Sequence, residues 1–278
     1  MAGAISAIKK RLKTVDSTKK LTKATELVAT VKLQKYNTKT IQNEQYAKNL
    51  RRFILAALRG KGPEVEDNPY LVNPDVDNPL YIIITSNSGL CGNYNLELLK
   101  YVEENVPNDV PIFAIGTVGY NYLMKKDYLV VKKYDELEDL QPSILNTLID
   151  NILLLFTKYE INEIKVVYTK YINTLTYKPT TMNLLPFEQE ELEGESEILL
   201  EPSRNEVLNK LIPMYISSQI YVAFLDAKTS ENAARRNAMN MANKNAEKLI
   251  DELRLNYNKA RQAAITQEMN EIVSSTRI

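Results

Sequence analysis

From Met214 to Ile278 the chain runs for 65 residues without a Pro or a Gly. No other feature restricts the fold so strongly. Ala, Leu, Glu, Lys, Arg, Gln and Met dominate the stretch, and these residues lose little conformational freedom in a helix. An unbroken helix of this length spans about 95 Å, far more than the width of a domain. A single helix cannot bury its own apolar stripe, so the stretch requires a partner. Met239, Ala242, Ala246, Leu249, Leu253, Asn256, Ala260, Ala263 and Gln267 step alternately by three and four. That spacing is a heptad seam and predicts a left-handed coiled coil. Its Ala positions let two helix axes approach closely, while Asn256 and Gln267 interrupt it with polar groups.

The partner is present in the same chain. Residues Ala4 to Arg59 also lack Gly and Pro, and Gly3 and Gly60 bracket them. Ile5, Ile8, Leu12 and Val15 form one apolar set. Leu21, Ala24, Val28 and Val31 are expected to continue it with a phase shift, and Ile41, Leu50, Ile54 and Ala57 to complete it. Asp16, Ser17 and Thr18 are a candidate bend. Pairing the two ends antiparallel buries both stripes.

Between them the pattern changes. Residues 61–79 are rich in Gly, Pro, Asn and Asp and read as a linker. Leu80–Thr85 and Val110–Ile115 are apolar, β-branched runs typical of buried strands. Tyr128–Val131, Ile164–Tyr168 and Thr180–Leu185 are further strand candidates. Helical patterns over Tyr94–Asn105, up to Lys125, and over Ser143–Tyr159 separate them. Alternating strands and helices predict an open, mainly parallel sheet. The expected fold class is therefore α/β: a long antiparallel coiled coil of N- and C-terminal helices plus a central Rossmann-like domain. The expected divisions are 1–60 for the first helix, 61–79 for the linker, 80–203 for the α/β domain and 204–278 for the last helix. Pro213 is expected to start or kink that last helix.

Charge is uneven although it balances overall. Residues 1–61 carry 15 Lys and Arg against 3 acidic residues, and residues 62–203 carry 9 against 24. The basic start includes Lys9, Lys10, Lys20 and Lys23. Such a helix suits nucleic acid, anionic lipid or an acidic protein surface, although no aromatics interleave its basic residues. With no His, the usual general base is missing, and one Cys permits neither an internal disulfide nor a Cys-cluster metal site. No carboxylate pair stands out by spacing. The turn SNSGLCGNYN at 86–95 lies where a strand meets a helix, the place for phosphate in a nucleotide-binding fold. It offers only Gly89 and Gly92 in a G-x-x-G spacing and no following Lys, so it reads as a tight structural turn with Cys91 as a small packed residue.

Three stretches together resemble one family, the gamma subunit of F-type ATP synthases: residues 4–35, 84–95 and 229–275. The most specific is YNKARQAAITQEMNEIV at 257–273. The resemblance implies a central rotor shaft turning inside a ring of three alpha and three beta subunits, with an epsilon subunit and a membrane c-ring as further partners. It implies no cofactor, metal or catalytic residue in this chain, and a peripheral place on the cytoplasmic side of a bacterial membrane. It maps ring contacts onto Arg261, Gln262, Thr266 and Glu268, and an apolar tip onto Met269, Ile272 and Val273. It implies that the basic helix brushes acidic segments of the beta subunits. The chain departs from the family at Thr25, usually Met, and at Asn87 and Ser88, usually an acidic-basic pair. These departures leave open a specialised rotary ATPase without a proton channel. From the residues alone, a coiled-coil tether and a small-molecule enzyme on the α/β domain also stay open. From Asn256 onward the last helix is expected to outreach its partner.

Overall fold

The computed structural model describes residues 2–58, 68, 70–71, 76–134, 142–158, 160–187 and 200–275, with the side chains of 2–4, 142–144, 157 and 273–275 left aside. Residues 188–199 and most of the expected linker lie outside these residues. Helix α1 spans Ala2–Leu58 and helix α5 spans Arg204–Ser275. At about 1.5 Å per residue they are about 86 and 108 Å long. Asp16, Ser17 and Thr18 do not break α1. Thr14, Thr18, Thr25 and Thr30 each donate their hydroxyl to a carbonyl four residues back. Their polar groups are thus satisfied within the helix. Pro213 does not start α5 but sits in its third turn.

The two helices contribute to two compact units. One comprises residues 1–30 and 235–278, the other residues 31–234. In the second unit, five strands lie in the order β3-β2-β1-β4-β5. They are β1 Leu80–Ile84, β2 Ile112–Ile115, β3 Val130–Tyr134, β4 Ile164–Tyr171 and β5 Tyr177–Leu185. Pairs β1/β2, β1/β4 and β2/β3 are parallel, and β5 joins β4 antiparallel. The third strand starts later than the sequence suggests, at Val130 rather than Tyr128.

Three further helices, α2 Tyr94–Asn105, α3 Thr117–Lys125 and α4 Pro142–Thr157, connect the strands. Strand β1 is buried along its whole length because both of its faces are covered. Ile82 and Ile84 face a core shared with Leu50, Ile54 and Ala57 of α1, Ile152 and Phe156 of α4, and Leu208 through Ala227 of α5. Tyr81 and Ile83 face the opposite core, with Leu98 and Val102 of α2 and Leu123 of α3. The terminal helices are therefore themselves one layer of the α/β unit.

Gly116 shows how tightly the sheet end is built. Its φ is +100°, and a Cβ there would lie 2.4 Å from the Thr85 carbonyl oxygen. The Gly119 amide donates to Thr85 Oγ1 at 2.9 Å from the same turn. Gly116→Ala is expected to destabilise the chain by about 2–4 kcal/mol, because strain and a backbone clash add. A chemical denaturation midpoint unchanged from the parent would contradict this.

Candidate functional site

Helix α1 buries one uninterrupted heptad stripe. It begins with Ile5, Ile8, Leu12 and Val15, continues through Lys19, Thr22, Glu26 and Ala29, and ends with Leu50, Ile54 and Ala57. The expected phase shift does not occur. Leu21, Val28, Val31 and Ile41 are 56–68 % exposed, and Ala24 is exposed too. In this part of α1 Lys19, Thr22 and Glu26 point in with Ala29, while Leu21, Ala24, Leu27 and Val28 point out beside the exposed Lys20 and Lys23. Leu21, Ala24 and Val28 keep heptad spacing on the outer face, with Leu27 beside them. The reason lies across the seam, where α5 presents polar partners.

Helix α5 runs antiparallel to α1. Lys19 Nζ lies 2.9 Å from Glu247 Oε1. Asn243 Nδ2 donates to Glu26 Oε2 at 2.6 Å, and Asn240 Nδ2 to Glu26 Oε1 at 3.3 Å. Lys23 Nζ adds a contact to Glu26 at 3.1 Å. Thr22 Oγ1 donates to Asn243 Oδ1. Burial works to raise the Glu26 carboxyl, and Lys23, Asn240 and Asn243 together hold it below its ordinary value.

The seam on α5 also differs from the expected one. Met239, Ala246, Leu253 and Ala260 take part as expected, and the expected Ala242 and Leu249 are half-buried beside them. The intervening positions are Asn243, Ile250, Tyr257 and Ala264, while Asn256, Ala263 and Gln267 are exposed. Both sets alternate threes and fours, and the heptad repeat alone cannot tell them apart. Extended along the helices, the observed register carries Ile5 to about the level of Arg261 and Ala2 to about that of Ala264. Helix α5 therefore outreaches α1 only beyond about Ala264, and not from Asn256.

Arg261, Gln262, Thr266, Glu268, Met269 and Ile272 are all exposed. Arg261 and Gln262 lie on the outer face of the paired region, and the rest lie on the overhang. Thr266 turns its hydroxyl back to the Gln262 carbonyl at 2.9 Å. The Val273 side chain lies outside the described residues. Met269 and Ile272 are more than 60 % exposed, and Leu255 and Ile265 are exposed as well. Lys9 and Lys10 are exposed, Lys20 pairs with Asp16, and Lys23 pairs with Glu26.

The 86–95 turn is spent on packing. Gly92 lies at φ +59°, a left-handed conformation that glycine adopts without strain. At Gly89 a Cβ would meet nothing within 4 Å. Asn95 Nδ2 donates to Ser86 Oγ at 2.7 Å, and its Oδ1 accepts from the Ser86 amide at 3.2 Å. The Asn87 side chain accepts from the Thr117 amide at the start of α3. Tyr94 donates its hydroxyl to the Ala227 carbonyl of α5 at 3.1 Å, and Cys91 and Tyr94 pack on Ala234. Here α5 is buried on every side for 13 consecutive residues, Val222 to Ala234. Even its charged Lys228 is enclosed, paired with Glu231 at 2.9 Å. The sequence hides this grip because KTSEN reads as solvent-facing helix.

Asp226, also on α5, has no such ion pair among the described residues. Asp226 is 5 % exposed and lines a cavity of 180 Å³ with Glu44, Lys48, Tyr168, Lys170 and Gln219. Burial, and then the charge of Glu44, push its carboxyl up to about 7 against the pull of Lys170. Among the described residues there is no His, Cys, Asp and Glu cluster fit to hold a metal. No described helix is long and apolar enough to cross a membrane.

A sequence model described as ATP synthase matches residues 4–277. The chain is 39 % identical to the ATP synthase gamma chain of Lachnoclostridium phytofermentans, over 96 % of each chain. It is 35 % identical to that of Streptococcus pyogenes serotype M5, over 99 % of this chain and 98 % of the other. A chain in the Euglena gracilis mitochondrial ATP synthase structure of OSCP, F1 and c-ring shares the fold. The TM-score is 0.69 at 17 % identity, over 99 % of this chain and 94 % of that one. A chain of the Tetrahymena thermophila central stalk and c-ring also matches, with a TM-score of 0.59 at 20 % identity and covering 80 % of this chain and 99 % of that one.

Proposed function

Because the chain belongs to the ATP synthase gamma-chain family, we propose that it is the central rotor shaft of a rotary ATP synthase. The observation that carries this reading is the inverted polarity of the helix pair. A helix pair that ends in solvent has no use for a heptad-spaced apolar row on its outside, whereas a shaft enclosed by other subunits does. The overhang with exposed Met269 and Ile272 supports the same reading, as an apolar tip for an encircling sleeve.

The ring is three alpha and three beta subunits, and its catalytic sites lie on the beta subunits. This chain supplies no reacting group. It acts by presenting a different face to each beta subunit as it turns, which links rotation to nucleotide affinity. Lys9 and Lys10 offer charge to acidic ring segments. The α/β unit serves the epsilon subunit and the c-ring, at the cytoplasmic face of the membrane. Co-purification from native extracts tests the assignment: three-fold alpha and beta subunits are expected, and a stable solitary chain would refute it.

Arg261 and Gln262 are assigned to transient ring contacts because they sit outside the seam. Arg261→Ala combined with Gln262→Ala is expected to leave assembly intact and to lower torque in single-molecule rotation. Loss of assembly in that variant would show that the two residues hold the complex together instead.

A further inference from the structure

We propose that the polar layer formed by Thr22, Glu26, Asn240 and Asn243 is a register lock for the helix pair. It sets the axial and rotational position of the part of the pair beyond it. The proposal stands on geometry within one compact unit and does not depend on the rotor reading.

The layer interrupts an otherwise interchangeable seam. On one side of it lie Ala29 and Met239. On the other lie Leu12 and Val15 with Ile250 and Leu253, all at least half-buried. Apolar contacts are non-directional, so Ala, Leu, Ile and Val layers tolerate sliding by a heptad. The polar layer does not. Asn243 uses both ends of its amide, accepting from Thr22 and donating to Glu26 at 2.6 Å. Both Glu26 oxygens are taken, one by Asn243 and Lys23, the other by Asn240 at 3.3 Å. Glu26 is only 9 % exposed and Asn243 6 %.

A slip of one heptad is about 10 Å. In one direction it brings Glu247 and Ile250 to Glu26, leaving a buried carboxylate beside a like charge with no amide donor. In the other it moves the Asn243 amide off Thr22 and Glu26 to Val15 and Lys19, and takes Glu26 from both amides to Ala233 and Arg236. A buried polar group left unpaired costs more than its hydrogen bond contributes, so both slips are penalised. A single buried polar layer fixes register in this way at some cost in stability.

Cross-linking in the full chain tests the lock, in a Cys91→Ser background. Leu12→Cys with Leu253→Cys reports the native level. Leu12→Cys with Ala246→Cys, and with Ala260→Cys, report slips of one heptad either way. With the layer intact, only the native pair is expected to form a disulfide. In the variant Thr22→Val, Glu26→Leu, Asn243→Leu, the offset disulfides are expected to rise about tenfold while the helix content is retained. Glu26→Gln, which keeps one oxygen for the Asn243 amide and loses the acceptor for Asn240, is expected to stay mainly native. Native cross-links alone in the apolar variant would mean that the α/β unit sets the register, overturning the proposal. Loss of folding in that variant would make the layer a stability element only, and offset cross-links in Glu26→Gln as frequent as in the apolar variant would assign the register to the Glu26 charge and overturn the role given to Asn243.

Discussion

Asp226→Asn is expected to stabilise the chain by about 2–4 kcal/mol at pH 8 and by almost nothing at pH 4. The Asp226 carboxyl is raised from its ordinary 3.8 to about 7, first by burial and then by Glu44. The folded state therefore binds the proton more tightly than the unfolded state. The stability contributed by this group is full below about pH 4, falls as pH rises to about 7, and is flat above that. Removing the charge removes the slope. Glu26 works in the opposite sense, since its lowered value adds stability as pH rises through the acid range. The difference between parent and variant isolates Asp226. Melting temperatures at several pH values give the measurement, with a gain on the order of 5–10 °C at pH 8. An equal gain at pH 4 and pH 8 would show that the effect comes from packing and not from charge.

Leu21→Glu combined with Val28→Glu is expected to abolish assembly with the alpha and beta subunits while the chain stays folded. Both side chains are more than half exposed in the chain by itself. Glu is as good a helix former as Leu and better than Val, so the cost to folding is within about 0.5 kcal/mol. In the proposed enclosed state each side chain would bury apolar surface amounting to about 1.5–3 kcal/mol. Losing both, and adding charge that acidic ring segments repel, weakens association by roughly a hundredfold or more. Reconstitution followed by size-exclusion chromatography measures this. Normal assembly of the double variant would remove the outer row from the interface.

The sequence carried the architecture because its strongest signals are periodic and local. Two long runs free of Pro and Gly, apolar strands alternating with helices, and a polar break at each junction specify the terminal helices and the parallel sheet. They also place the first apolar set of α1, Ile5 to Val15, and four members of the α5 seam. Of the contact residues that the resemblance at 257–273 implies, Arg261, Gln262, Thr266, Glu268, Met269 and Ile272 are exposed, and the Val273 side chain lies outside the described residues. What misled was the assumption that apolar means inward. Leu21, Ala24, Val28 and Val31 fit a heptad as well as Lys19, Thr22, Glu26 and Ala29 do, and hydropathy selects the wrong set. On α5, a one-residue ambiguity hid Asn243, Ile250 and Tyr257 in the same way.

The sequence by itself determined that the chain builds two long helices and an α/β sheet, since helix propensity, strand propensity and chain-breaking residues act over a few neighbours. Only the tertiary structure decided which side of each helix faces its partner. That choice depends on whether Glu26 finds Asn240 and Asn243, more than 200 residues away. A polar residue can be buried once its hydrogen bonds are met across the seam, and the apolar residues are then left outside for another surface. The same holds for KTSEN at 228–232 and for Asp226. The first is buried because the sheet end and the 86–95 turn close around it, the second because α1, α5 and the β4–β5 side of the sheet meet there.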